Sequence, residues 1–335
     1  MKTSIPKSQK PRPPRSLSAR SNAPRARVTI RTILVSTDFS PASLKALAYG
    51  CAIAKKFSAT LHLLHVNDVQ FEEPALVPFL AAGMELDWKM RRRLQLVAAN
   101  CAVPIGPKRI HVRKGKAFDQ ICREAKLLGA DLIIISTHGY TGLKHVLLGS
   151  TAERVVRHAT CPVLVVRDFV SGGGNGARER EAFRLTKILV PIDFSEYSRQ
   201  ALTHAIALAK QFGSKVTLLH SVYPHYYATN SDYTAYDMPL LMESLREGAE
   251  KQMQDLVRQT AFSGVPFESQ VTVGFPSETI LQVAADTDAD LIVSSTHGRT
   301  GLKGALIGST AEQMVRFAKC PVLVIPRFHA TRKPR

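Results

Sequence analysis

Three short stretches in the first half of the chain carry residue types suited to holding a phosphorylated ligand. Ser36-Thr37-Asp38 closes a β-branched run, Ser136-Thr-His-Gly139 closes a second, and nine residues after Gly139 comes Gly149-Ser150-Thr151. Glycine lets a backbone approach an anion closely, and the amides at the positive end of a helix dipole attract phosphate. The spacing therefore suggests a phosphate cradle. Asp38, across the strand ends, offers a carboxylate that accepts hydrogen bonds from ribose hydroxyls or an adenine amino group. The second half repeats the set as Pro191-Ile192-Asp193, Ser295-Thr-His-Gly298 and Gly308-Ser309-Thr310. A plainer reading stands beside this one. Ser150-Thr-Ala-Glu153 and Ser309-Thr-Ala-Glu312 are capping boxes, in which the serine caps only its own helix, and Asp38 and Asp193 are also turn acids ahead of a helix.

The elements that must position these residues follow from periodicity. Ile33 to Thr37 reads as a buried strand, and Ser40-Pro41 as an N-cap with proline in the first turn. The helix that follows places Leu44, Leu47, Ala48 and Cys51 on one face. Strands are expected at Leu61 to Val66, Ile110 to Val112, Leu132 to Ser136 and Val163 to Val166, with helices near Leu94 to Cys101, over Phe118 to Leu128 and from Thr151. Alternating strands and helices imply a parallel sheet covered on both faces, whose ligands sit beyond the carboxyl ends of the strands where strand order reverses.

A tandem duplication accounts for the doubling. Thr32 to Ser40 returns as Lys187 to Ser195, and Ser136 to Arg167 returns as Ser295 to Pro326 with 22 of 32 positions identical. That period is a whole domain rather than a solenoid unit. The boundaries expected are a disordered basic tail at 1–30, one domain at 31–168, a Gly-rich linker at 169–184, a second domain at 185–327 and a basic tail at 328–335. The tails hold most of the net charge of +18, since residues 1–30 carry eight Lys/Arg, five prolines and no acid. Such a tail gains affinity for polyanions by counterion release without sequence readout.

Several chemistries are disfavoured. No apolar run reaches the length of a membrane span, and the five cysteines show neither a CxxC pair nor Cys/His ligand spacing, which fits a reducing, cytoplasmic setting. Cys161 and Cys320, each ahead of Pro-Val-Leu-Val, read as packing positions. His138 and His297 sit in the glycine loops without a nucleophile elbow, a metal-spaced second histidine or paired carboxylates, and no GxxxxGK[ST] loop is present. No catalytic set assembles. The copies differ most after their second strand, where Tyr223, Tyr226, Tyr227, Tyr233 and Tyr236 gather in the second copy while Phe71 to Trp88 is apolar and acidic in the first. The tyrosines suit a partner or lid surface, or a loop packed on its own domain.

On Gly139 with Gly149-Ser150, Gly298 with Gly308-Ser309, Thr141 to Lys144, Thr300 to Lys303 and the repeated Cys-Pro-Val-Leu-Val, the sequence resembles the universal stress protein family over nearly all of both domains. The resemblance implies a five-stranded α/β domain of strand order 3-2-1-4-5, ATP binding, and pairing through the last strand. In its nucleotide-binding members a Gly stands where this chain has Ser136 and Ser295, a departure that either narrows the crevice or adds a hydroxyl contact. Pro191-Ile192-Asp193 resembles the family's first-strand ending, and Val66 and Ser221, at the ends of the second strands, would edge the adenine; the first domain has the better lining. The expectations are therefore ATP with Mg²⁺ as ligand, intrachain domain pairing with room for a further homodimer, and a weak nucleic-acid contact through the N-terminal tail. A nucleotide-free scaffold and a slow ATP or adenylate hydrolase are the competing functions.

Overall fold

A computed structural model of the chain describes residues 28–68, 76–137, 149–167, 185–223, 238–298 and 307–327, with side chains from Asp87 onward in the helix that begins at Leu76. The first half runs β1 (Thr32–Ser36), α1 (Pro41–Phe57), β2 (Thr60–Asn67), α2 (Leu76–Ala99), β3 (Ile110–Lys114), α3 (Ala117–Leu128), β4 (Leu132–Ser136), α4 (Ser150–His158) and β5 (Val163–Val166). The second runs β6 (Lys187–Pro191), α5 (Glu196–Phe212), β7 (Lys215–Val222), α6 (Met238–Gln259), β8 (Phe267–Val273), α7 (Pro276–Asp286), β9 (Leu291–Ser295), α8 (Ser309–Phe317) and β10 (Val322–Ile325). Among the described residues the strands form one ten-stranded sheet of order β3-β2-β1-β4-β5-β10-β9-β6-β7-β8. Each half therefore has the expected 3-2-1-4-5 order. None of the described helices is long and apolar enough to cross a membrane.

The central strands are apolar throughout because both faces are covered. Ile33 and Val35 point into a core beneath α1, α2, α5 and α6, whereas Leu34 points into one beneath α3, α4, α7 and α8. Each core continues across both halves. The halves join where β5 pairs antiparallel with β10, Val163 opposite Val324, Leu164 opposite Leu323 and Val165 opposite Val322. All six side chains are at most 4% exposed, and burying each is worth about 1.5–3 kcal/mol, which removes two apolar edges that would otherwise invite aggregation. Over this seam Arg157 reaches Glu153 at 2.6 Å and Glu312 at 3.8 Å, while Arg316 reaches Glu312 at 2.8 Å and Glu153 at 3.3 Å.

Three expectations are corrected. Leu44 and Ala48 of α1 face solvent, Leu44 being 41% exposed; the buried face is Ala42, Ala46, Leu47, Gly50, Cys51, Ile53 and Ala54. Small residues turn inward because α1 lies close on the sheet: a Cβ on Gly50 would stand 2.7 Å from Val35 Cγ2. The helix expected near Leu94 to Cys101 begins at Leu76 and stops at Ala99, with Pro78 tolerated because it falls in the first turn. Ile30, assigned to the tail, is 8% exposed and belongs to the first core.

Candidate functional site

The site lies where β1 and β4, or β6 and β9, diverge at their carboxyl ends. Ser40 caps α1 by accepting the Ser43 amide at 3.2 Å, and Asp38 Oδ1 accepts both the Ser40 amide at 3.1 Å and its hydroxyl at 2.6 Å. The second half repeats this: Asp193 Oδ1 accepts the Ser195 amide at 3.0 Å and hydroxyl at 2.6 Å, and Ser195 Oγ accepts the Ser198 amide at 3.2 Å. Each aspartate is thus a turn acid, as the plainer reading held, with its carboxylate fixed at the strand end.

Between acid and cap sits a residue neither motif predicts. Phe39 and Phe194 take left-handed φ angles of 67° and 64°, a strain of about 1–3 kcal/mol for a bulky residue. Contacts hold the strain in place. Phe39 packs on His65 with ring centroids 4.7 Å apart and Phe194 on His220 at 4.5 Å. His65 Nδ1 lies 2.8 Å from Thr37 O and His220 Nδ1 lies 2.6 Å from Ile192 O, so each imidazole clamps the strand end preceding the aspartate. The repeated Leu-Leu-His of β2 and β7 was the available sequence signal. In the first half Arg93 also lies over the Phe39 ring at 4.1 Å.

The helix starts resolve the capping question. The N-caps of α4 and α8 are Gly149 and Gly308, neither with a side-chain cap. Ser150 and Ser309 are the first helical residues and exposed, and Glu153 and Glu312 turn to the seam arginines instead of back to a cap. The capping-box reading is therefore incorrect. The Gly149 amide donates to Thr137 O at 2.8 Å and the Gly308 amide to Thr296 O at 2.7 Å, tying each helix start to its strand end. Since Glu153 and Glu312 make the first helical bonds back to Gly149 and Gly308, the amides of Ser150, Thr151 and Ala152, and of Ser309, Thr310 and Ala311, have no intrahelical acceptor.

The glycines themselves serve the backbone. A Cβ on Gly149 would stand 2.5 Å from Thr137 O, and one on Gly308 would stand 3.3 Å from Thr296 O. A Cβ on Gly298 would stand 2.5 Å from Asp193 Oδ2, so the glycine loop and the aspartate meet in the second half. Gly139, its partner by sequence, falls outside the described residues, as do His138, Lys144, Lys303, the linker and four of the five clustered tyrosines. Ser295 donates to His297 O at 2.7 Å and Thr296 Oγ1 lies 2.9 Å from His297 Nδ1, which makes both hydroxyls and that histidine part of the loop.

Other expected residues are placed as follows. Thr37 is buried, its hydroxyl accepting the Phe39 amide at 3.0 Å and meeting Ser43 Oγ at 2.9 Å. Ser36 and Ile192 are also buried, Pro191 and Ser136 partly so. Val66 packs at the edge of the second core, and Ser221 donates to Gly274 O at 2.6 Å.

The rims beyond the second and third strands diverge. In the first half Asn67, Asp68, Lys114 and Lys116 occupy them, with Asp87 accepting from Asn67 at 3.3 Å and pairing with Lys114 at 2.9 Å. In the second half the same positions are Val222, Tyr223, Val273 and Phe275, and Tyr223 meets Phe275 edge-on at 4.8 Å.

Comparison with known proteins gives one consistent answer. The model of the universal stress protein family matches twice, over residues 29–167 and 184–326. A universal stress protein of Methanocaldococcus jannaschii is 33% identical over 141 residues, covering 42% of this chain and 82% of the relative. One from Mycolicibacterium smegmatis is 27% identical over 305 residues, covering 88% of this chain and 96% of the relative. Among solved structures, a universal stress protein of Archaeoglobus fulgidus superposes with a TM-score of 0.59 at 20% identity, covering 90% of this chain and 97% of its own; that likeness concerns the fold.

Proposed function

Because the chain belongs to the universal stress protein family with both of its halves, we propose that it binds an adenine nucleotide, ATP in the first instance, at each of its two strand-end crevices, as a regulatory or stress-protective binding module of a reducing, cytoplasmic environment. The observation that carries this reading is the pairing, repeated in each half, of a helix whose first-turn amides lack an intrahelical acceptor with a strand-end aspartate whose carboxylate is fixed in place. The amides of α4 and α8 suit the phosphates, and the dipoles of both helices favour negative charge there. Asp38 and Asp193 suit ribose hydroxyls. Ser150, Thr151, Ser309 and Thr310 add hydroxyl donors at the phosphate end.

The described residues fit nucleotide better than a resident metal. No group of three or more His, Cys, Asp or Glu among them is arranged to hold an ion, so Mg²⁺ would arrive on the phosphates, as that ion commonly does. The basic N-terminal residues remain the proposed contact for polyanions.

Native mass spectrometry of freshly purified protein tests the reading. Mass increments of an adenine nucleotide, lost on denaturation, are expected. Protein that is ligand-free as isolated and gains no increment with excess ATP and Mg²⁺ would contradict it and favour a scaffold.

A further inference from the structure

We propose that the outer edge of the first domain, built by α2 and β3, binds single-stranded nucleic acid, with Trp88 stacking on an unpaired base and the arginines beside it holding the flanking phosphates. This contact is separate from the nucleotide crevices.

Charge locates it. Residues 88–118 hold nine Lys/Arg and no Asp or Glu, whereas the stretch in register with them in the second half, 247–277, holds two Lys/Arg and four Asp/Glu. One edge therefore carries a formal +9 and its copy 2 − 4 = −2. Acids from outside the stretch engage two of the cations, Asp87 with Lys114 at 2.9 Å and the buried Glu124 with Arg113 at 2.8 Å, and Arg93 turns away over Phe39. Arg91, Arg92 and Lys108 are exposed and Arg109 is half-buried. A polyanion gains affinity at such a surface by counterion release.

Trp88 selects among polyanions. It is the only tryptophan of the chain and 51% exposed, and Arg91 and Arg92 follow it at i+3 and i+4, which makes them its neighbours on one flank of the helix. Arg91 Nη1 donates to Ile110 O at 3.3 Å, so that flank is tied to the edge strand and to the turn Pro107–Arg109 that carries Lys108 and Arg109. β3 is the outermost strand on this side, with β2 as its one neighbour in the sheet. An aromatic face among cations takes a base of any sequence. A duplex keeps its bases stacked on one another and would leave the indole uncovered. A membrane surface calls for a continuous apolar face, yet among the described side chains of α2 the other large exposed apolar one is Leu96, two turns away. In the second half Glu247 and Glu250 stand where the first has Trp88 and Arg91.

Fluorescence of Trp88 in the full chain tests this, because the tail at 1–30 also attracts polyanions and affinity alone would not say where the strand lies. Oligothymidylate should quench the emission, and the logarithm of the association constant should fall with that of the salt concentration by about 0.7 per phosphate held. Arg91→Glu together with Arg92→Glu should abolish the quench and reduce that slope by about 1.4. In anisotropy titrations with labelled oligothymidylate, Trp88→Ala should weaken binding by about 5- to 100-fold, and Trp88→Phe should restore most of it. Emission unchanged at saturating oligothymidylate would overturn the proposal and leave the tail as the contact. So would a quench that survives in the double arginine variant, equal quenching by a duplex of the same charge, Trp88→Ala binding as tightly as wild type, or a response to phosphatidylserine vesicles with none to the oligonucleotide.

Discussion

The two halves of the sheet hold the same turn and differ at the rim beside it. Asp38, Ser40 and Phe39 on His65 are matched by Asp193, Ser195 and Phe194 on His220, down to φ angles of 67° and 64°. Beyond the second and third strands, Asn67, Asp68, Lys114 and Lys116 give way to Val222, Tyr223, Val273 and Phe275. Duplication has thus kept the residues that set backbone geometry and changed those at the rim, so the two crevices share a strand-end turn and helix start while presenting charge in one case and an apolar wall in the other.

A buried charge supplies the severest test of that contrast. Glu124, 3% exposed, accepts from Arg113 Nε at 2.8 Å and Nη2 at 2.9 Å, and meets His111 Nδ1 at 2.9 Å; the second half places Val283 and Thr272 at the positions of Glu124 and Arg113. Arg113→Thr alone leaves a carboxylate buried and should cost about 3–5 kcal/mol. Adding Glu124→Val, which completes the second half's pair, should recover part of that loss in urea titrations. A double variant less stable than Arg113→Thr would show that the halves are not interchangeable here.

A middle-sized effect separates the glycines. Gly149→Ala must displace a backbone carbonyl 2.5 Å away and should lose about 1–3 kcal/mol, whereas Gly308→Ala, at 3.3 Å, should lose under about 1 kcal/mol. Equal losses in thermal unfolding would mean that the first turn relaxes as readily as the second. Because the backbone alone demands Gly149, its replacement does not report on nucleotide; Asp38→Asn and Asp193→Asn do.

Acid should act more on the first half. Burial lowers His62 and His111, with nearby cations adding to it and Glu124 opposing it, and burial lowers His204 in the second half. A histidine lowered from 6.5 binds its proton first in the unfolded chain, so stability is whole above pH 6.5 and falls as pH drops below it. Replacing His62 by Thr and His111 by Gln should flatten that fall and leave the His204 part, read as urea midpoint against pH. An unchanged slope would remove the pair from the account.

The smallest effect is at the second edge. Lys215 pairs with Glu268, both 47% exposed, so Lys215→Ala should change stability by less than about 1 kcal/mol. A larger loss in the same titration would mean that this edge carries more than a solvated pair.

Much of the frame was legible because buried parallel strands leave β-branched runs, and repetition supplied the second domain from the first. Ser40-Pro41 announced its helix through the cap chemistry the structure shows. The face of α1 was misjudged because the pattern counted large residues, while close packing on the sheet selects Ala42, Ala46 and Gly50. Ser150 looked like a cap because Ser-x-x-Glu satisfies two reciprocal bonds in isolation, yet Glu153 pairs with Arg157 one turn on in its own helix and with Arg316 of the other half, the second of which local spacing cannot show. The Phe39 strain and the His65 clamp depend on contacts between strands and left only the repeated Leu-Leu-His as a trace.

Calorimetric titration of the full chain with ATP and Mg²⁺ tests the central claim most directly, since it counts sites and assigns them. Two ATP per chain are predicted, with Asp38→Asn weakening one site and Asp193→Asn the other while both variants keep the wild-type melting behaviour. Absence of binding at millimolar ATP, or a single site untouched by either substitution, would contradict it.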